Sequence, residues 1–169
     1  MLNLKNGIIQ SGLLLVINVT QLYGQEAAPS PIKRNSVYAE LLGSAWAYYN
    51  IGYERIVLAR GKDKVAAALG AQFLPANGTR ESDIFSLSPQ VNYLHGRLNH
   101  LEVGMGAVLN PAELDKNVIL VPRLGYRYQR PDGGVSFKAA FTPIINGVTL
   151  FGGTYPIFPW GGIAFGWTF

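Results

Sequence analysis

Hydrophobic and polar residues alternate one by one along most of the chain after residue 34. Eight segments show this period of two, which is the side-chain period of a β-strand. No segment shows the 3.6-residue period of an amphipathic helix. The pattern predicts strands over residues 35–45, 48–58, 64–73, 83–94, 97–109, 117–129 and 135–145, and from about 157 to the C-terminus.

The connections between these segments alternate in length. Three are tight turns, RGKDK, LHGR and RPDGG, whereas PANGTRESD, NPAELDKN and residues 146–162 are longer and only the connection around SAWA is short. An even number of strands of about 10–12 residues, with tight turns at one end and longer loops at the other, is typical of a transmembrane barrel. The sequence therefore predicts an all-β fold: an eight-stranded, antiparallel, up-and-down transmembrane β-barrel.

The two faces of the predicted strands differ in size and polarity. One face is bulky and apolar, with Arg55 as its single charge, and the other is rich in Gly, Ala and small polar residues. Small side chains suit the narrow interior of an eight-stranded barrel, and so broad an apolar surface indicates a contact partner such as lipid. A soluble secreted β-protein, which would bury the bulky face between two sheets, is the alternative.

Aromatic residues cluster near the predicted strand ends, where a membrane barrel carries its two interfacial girdles. The predicted outer rim contains Trp46, Tyr48, Tyr49, Tyr155, Phe158 and Trp160. The predicted inner rim contains Tyr53, Tyr93, Tyr126, Tyr128, Trp167 and Phe169.

The N-terminal segment is predicted to lie outside the barrel. Residues 1–24 combine a cationic Lys5, the apolar stretch GLLLVINV and small residues near Gly24, which is the layout of a cleaved secretory signal. Residues 25–34 then form a flexible lead, and residues 35–169 form the barrel. A buried N-terminal helix or a single membrane anchor are the alternatives, but the apolar stretch is short against the roughly 20 residues that a spanning helix needs.

Composition excludes several kinds of site. The chain has 169 residues, no cysteine and only 14% charged residues, so disulfides, thiolate metal sites and thiol nucleophiles are absent. Its two histidines lack metal-ligand spacing, and no glycine-rich phosphate loop opens a helix. The basic residues are scattered along the sequence, so no nucleic-acid partner is expected. No cofactor and no metal are predicted.

The C-terminal segment GGIAFGWTF places four bulky residues on one face of the last strand: Ile163, Phe165, Trp167 and Phe169. This tail resembles the C-terminal strand that the outer-membrane assembly machinery recognises. The chain from residue 35 onward resembles the small eight-stranded barrels of the OmpA and OmpX kind. The resemblance implies a place in the outer membrane of a Gram-negative bacterium, with membrane lipid and, during biogenesis, the assembly machinery as partners. It implies no single activity, and the surface ligand stays unknown.

The small face carries six charges that the barrel would point into its lumen: Glu40, Glu54, Glu102, Arg123, Arg127 and Lys138. Most lie two to six residues above the tight turns, so they should share one layer. Because an unpaired buried charge costs several kcal/mol, three acids and three bases should pair with one another. The sequence thus predicts a closed, ion-paired lumen. An acid/base site built on Glu40 and Glu54 is the functional alternative.

Two further functions remain as alternatives to a structural or surface-interaction role. A lipid-modifying barrel enzyme would need a histidine with nearby Ser and acid groups; His100 lies two residues before Glu102 on one face, but no Ser follows at His-x-Ser spacing, and His95 sits in a tight turn. A narrow channel would need an unplugged lumen. The aromatic connection over residues 146–162 is predicted to pack at the rim rather than bind a partner.

Overall fold

The computed structural model describes residues 32–45, 48–76, 82–111, 118–150 and 153–169. The predicted signal at residues 1–24, most of the lead and Trp46 lie outside these ranges. The described strands are β1 (Asn35–Leu42), β2 (Tyr49–Arg60), β3 (Asp63–Leu74), β4 (Ile84–Gly96), β5 (Asn99–Val108), β6 (Ile119–Gln129), β7 (Gly134–Phe141), β8 (Ile144–Leu150), β9 (Gly153–Phe158) and β10 (Gly161–Thr168). No helix among the described residues is long and apolar enough to cross a membrane.

Eight of these strands, β1 to β7 and β10, close into an antiparallel barrel in which neighbours in sequence are neighbours in space. The closing seam joins β10 to β1 over seven residue pairs. Beyond its end, Asn35 and Phe169 exchange backbone hydrogen bonds of 3.1 and 2.8 Å. The predicted all-β, eight-stranded closed barrel is therefore confirmed, and closure leaves no unpaired edge among these eight strands.

The bulky face points outward. On β5 the outward residues Leu101, Val103 and Met105 are each about half exposed, whereas Glu102 between them is only 1% exposed. The same alternation runs along the neighbouring strands. Large apolar side chains thus cover the outside of the barrel, and the two-sheet alternative, which needed them buried, is wrong.

The predicted strand over residues 135–145 and the connection over residues 146–162 need correction. β7 ends at Phe141, and the chain continues as the hairpin β8–β9 instead of a loop. The register places Pro143 opposite Pro122, and neither proline has an N–H to donate. The ladder between β6 and β7 stops there and resumes at a single pair, Leu120 with Ile145.

The first outer connection turns into the barrel. β1 ends at Leu42 rather than at residue 45, because Leu42 and Gly43 both adopt left-handed backbone conformations, with φ of 60° and 72°. The following 3₁₀ turn, Gly43–Ala45, approaches β3, β4 and β5, which are not neighbours of β1 in the wall. With Ser44 only 2% exposed, this turn lies inside the lumen.

A regular aromatic girdle marks the end of the barrel that carries the tight turns. Tyr53, Tyr93 and Tyr126 lie on β2, β4 and β6, each opposite an aliphatic residue of the preceding strand. Each hydroxyl donates to a residue two positions before that aliphatic partner: Asn35 (2.7 Å), Asp63 (2.5 Å) and Asn99 (2.8 Å), respectively. Trp167 takes the equivalent place on β10, opposite Val135. We call these four aromatic residues the tight-turn girdle.

Small residues on the inner face are required where strands and side chains approach closely. A Cβ at Gly125 would overlap the Ala139 carbonyl oxygen and the Ala140 Cβ of the neighbouring strand. Gly125→Ala should therefore destabilise the barrel by about 1–3 kcal/mol, because the obstructing atoms include backbone that cannot rotate away. Urea unfolding in detergent, followed by tryptophan fluorescence, measures this loss.

The matched control is Ala67→Val, which adds volume on the exposed outer face of β3. Its unfolding midpoint should stay close to that of the wild type. Equal midpoints for Gly125→Ala and Ala67→Val would contradict the packing assignment.

Candidate functional site: a charged layer in the lumen

The structure brings all six predicted lumen charges together. Their relative exposures lie between 0% for Arg127 and 5% for Arg123. They come from β1, β2, β5, β6 and β7, since each occupies an inward position of the two-residue alternation. The layer therefore spans the barrel from wall to wall.

Arg127 occupies the centre of this layer. Its guanidinium donates to both oxygens of Glu54, through Nη1 and, at 2.8 Å, through Nη2. It also donates to both oxygens of Glu102, from Nε at 2.8 Å and from Nη2 at 3.0 Å. A planar guanidinium suits this double bidentate geometry, which a lysine could not reproduce.

Arg123 links the layer to the 3₁₀ turn. Its Nη1 donates to Glu40 Oε1 at 2.7 Å and to Ser44 Oγ at 2.9 Å, and its Nε lies 2.9 Å from Glu102 Oε1. The backbone N–H of Ser44 in turn donates to Glu40 Oε2 at 3.1 Å. The turn is thus fixed to the ion pairs by both its backbone and its side chain.

Lys138 is the third cation of the layer. Its ammonium donates to Glu54 Oε2 at 3.1 Å and lies 4.1 Å from the centre of the Tyr38 ring, a cation–π distance. Asn92 Nδ2 donates to the same Glu54 oxygen at 3.3 Å. Glu54 therefore accepts from three different side chains.

The six charges form one chain of alternating sign. It runs from Lys138 through Glu54, Arg127, Glu102 and Arg123 to Glu40. The carboxylates of Glu40 and Glu54 bond to different cations, so the arrangement differs from the shared carboxylate pair that an acid/base site would use. Each acid instead balances its neighbours, as buried charges must.

Sequence reasoning missed a seventh lumen charge. Lys64 is buried on β3, where its ammonium lies 2.8 Å from His100 Nε2 and donates to the Gly96 carbonyl at 2.9 Å. Its inward position follows from the alternation that includes Ala66 and Ala68, but it lies at a strand end next to a tight turn. The six-charge layer keeps its three acids and three bases, and Lys64 is a further basic side chain inside the described part of the barrel.

The lumen also contains apolar side chains on the tight-turn side of the charged layer. Ile56, Ala66 and Leu94 form a buried apolar cluster towards the tight turns, and Ile32 from the segment before β1 packs against it. The lumen thus contains an apolar cluster, the charged layer and the 3₁₀ turn in succession. The sequence signal for the cluster was present, because Ile56 and Leu94 occupy inward positions near strand ends.

The predicted C-terminal signal residues lie on the outer face of β10. Ile163, Phe165, Trp167 and Phe169 are each about half exposed, and the ring of Phe165 lies 5.1 Å from that of Phe137 on β7. They belong to the closing seam of the barrel and do not contact the charged layer.

The structure offers no grouping of metal-ligating side chains within its described ranges. Comparison of the chain with protein-family models, curated proteins and solved structures gave no match. The functional argument therefore rests on the barrel itself and on its charged lumen.

Removing the central guanidinium tests the layer directly. Arg127→Met should lower the free energy of unfolding by about 3–5 kcal/mol, because Glu54 and Glu102 would remain buried without their main partner. The control is Arg130→Ala, which breaks an exposed pair with Asp132 and should leave the urea midpoint close to that of the wild type, because solvent screens such a pair. Urea midpoints that shift equally for both variants would contradict the assigned role of Arg127.

Proposed function

We propose that the protein is an integral barrel of the bacterial outer membrane with a closed, ion-paired lumen, exported by the signal at residues 1–24. Its role is structural, or it is to interact with a partner at the cell surface. No catalytic step is assigned to it.

The outward apolar belt is the observation that carries this proposal. The outward residues from Leu101 on β5 to Leu109, one residue beyond its end, include no charged residue. At about 3.4 Å per residue and a tilt near 40°, this segment rises by about 20 Å, close to the apolar band of about 25 Å in outer-membrane barrels. Acyl chains match such a surface, because the closed wall leaves its backbone groups paired.

The filled lumen favours a structural role over a channel. An apolar cluster, a chain of six buried charges and the inserted 3₁₀ turn occupy successive levels of the interior. Ion passage would require breaking contacts to Arg123 and Arg127, each of which has several partners.

The lipid-modifying alternative receives less support from the positions of the two histidines. His95 and His100 both lie beside the tight turn between β4 and β5, whereas that chemistry would need a catalytic group at the opposite, outer-leaflet rim. His100 faces Lys64 instead of a Ser and acid pair.

Membrane fractionation and heat-modifiable gel migration test the proposal. The protein should enter the outer-membrane fraction and migrate faster unheated than heated, because a closed barrel resists detergent until it is boiled. A soluble periplasmic protein without a heat shift would overturn the membrane assignment.

Conductance in planar bilayers tests the closed lumen. The wild type should show no ion steps, whereas Arg123→Ala should show them or lower the unfolding midpoint, since it releases Glu40, Glu102 and the turn at Ser44. Arg130→Ala, at the exposed turn, serves as the control. If Arg123→Ala shows no ion steps and its unfolding midpoint is unchanged, the proposal of a closed lumen is wrong.

The C-terminal aromatic residue is proposed to serve recognition by the assembly machinery in addition to sealing the barrel. Phe169→Ala keeps the backbone bonds to Asn35 but removes the ring. We expect less folded protein in cell membranes and unchanged refolding into detergent, compared by heat-modifiable migration. Equal amounts of folded protein in membranes would contradict the recognition role.

A further inference from the structure

Basic residues that are scattered in sequence gather at the tight-turn end of the barrel. Six are exposed there: Lys33 before β1, Arg55 and Arg60 near the end of β2, Lys62 in the β2–β3 turn, Arg97 in the β4–β5 turn and Arg130 in the β6–β7 turn. We call these six residues the basic ring. Asp63 and Asp132 are the acidic residues at this end in the described part of the chain.

Most of the ring has no acidic partner. Asp132 accepts from Arg130 at 3.0 and 2.5 Å, and this bonded guanidinium holds the pKa of Asp132 below its usual range. Asp63 is occupied by the Tyr93 hydroxyl and by His95. Within the described ranges, the other five cations of the ring form no salt bridge.

The ring lies immediately beyond the tight-turn girdle and surrounds the barrel. Arg55 follows Tyr53 by two residues on the outer face of β2, and Arg97 precedes Asn99, which binds the Tyr126 hydroxyl, by two residues. Each of the three tight turns carries at least one of these cations. The positive charge therefore follows the circumference instead of forming a patch on one side.

We propose that the basic ring binds the phosphate groups of anionic phospholipids in the leaflet at the tight-turn end. This inference rests on the proposed membrane function. A ring of charge just beyond an aromatic girdle matches an annulus of headgroups, because aromatic side chains of this kind lie at headgroup level. A single docked protein or nucleic acid would need its cations on one side of the barrel.

In the sequence, the longer connections that follow β3 and β5 have the opposite charge balance. The connections over residues 75–83 and 110–117 contain two basic residues, Arg80 and Lys116, and four acidic ones, Glu81, Asp83, Glu113 and Asp115. Attraction of a basic side chain to an anionic leaflet falls off within a Debye length, so only the tight-turn end should select anionic lipid.

Tryptophan quenching by brominated lipid can measure this selection locally. Trp46→Phe with Trp160→Phe leaves Trp167, in the tight-turn girdle, as the only reporter. Trp46→Phe with Trp167→Phe leaves Trp160 at the opposite rim as the matched control. Each protein is reconstituted into equal mixtures of phosphatidylcholine and phosphatidylglycerol in which one lipid or the other is brominated.

At Trp167 we expect brominated phosphatidylglycerol to bind roughly two- to fivefold better than brominated phosphatidylcholine. The preference should vanish in the triple variant Arg55→Gln, Lys62→Gln, Arg97→Gln. It should also vanish for the protein with an unsubstituted basic ring at about 1 M salt, where the Debye length is about 3 Å. At Trp160 the two lipids should quench equally.

Equal quenching at Trp167 by the two lipids at low salt would overturn the inference. Heat-modifiable migration of the same samples keeps this outcome separate from failure of the proposed function. If the barrel inserts and both lipids quench without preference, the ring is wrong and the membrane assignment stands. If neither lipid quenches, the membrane assignment itself fails. The salt arm needs no substitution in the ring, so it remains informative if the triple variant does not fold.

Discussion

The interior depends on how Arg127 is neutralised. A guanidinium without solvent requires counter-charge, and Glu54 and Glu102 supply it from two strands on different sides of the lumen. Those carboxylates also pair with Lys138 and Arg123. Removing one member of the layer therefore leaves its partners with a buried charge that is not neutralised. This mutual dependence fixes the relative positions of β1, β2, β5, β6 and β7 from the inside.

The same constraint explains the outer surface. Because polar and small side chains fill most of the lumen, only a few large apolar residues such as Ile56 and Leu94 fit inside, and the others lie on the outside of the closed wall. The arrangement inverts a soluble domain, in which apolar side chains would form the core. A surrounding apolar solvent would make it favourable, and the tyrosine hydroxyls of the tight-turn girdle, which bond to turn-end residues, mark where that solvent would give way to water.

The two-residue period was sufficient to predict the eight barrel strands and the inward direction of all six charges of the layer. It did not reveal how the ends of the strands behave. Lys64 was missed because it borders a turn, and the inserted turn at Gly43–Ala45 depends on left-handed backbone at Leu42, which no side-chain pattern encodes. The β6–β7 ladder ends where two prolines face each other across the strands, and that pairing is not visible before the register is known.

The basic ring shows the same limit on a larger scale. Its cations are far apart in sequence and come together because alternate connections of an up-and-down barrel all lie at one end. Whether a scattered charge is isolated or part of a ring is therefore a property of topology and not of local composition.

The most direct test of the account is a cysteine scan along β5, which is clean because the chain contains no native cysteine. Spin labels at the outward positions 101, 103, 105 and 107, and at the exposed turn residue Lys62 as a control, would be exposed in turn to oxygen, which partitions into lipid, and to a water-soluble nickel complex. We predict that the four labels on β5 collide mainly with oxygen and that the label at Lys62 collides mainly with the nickel complex. Labels on β5 that collide mainly with the nickel complex would contradict a lipid-facing barrel.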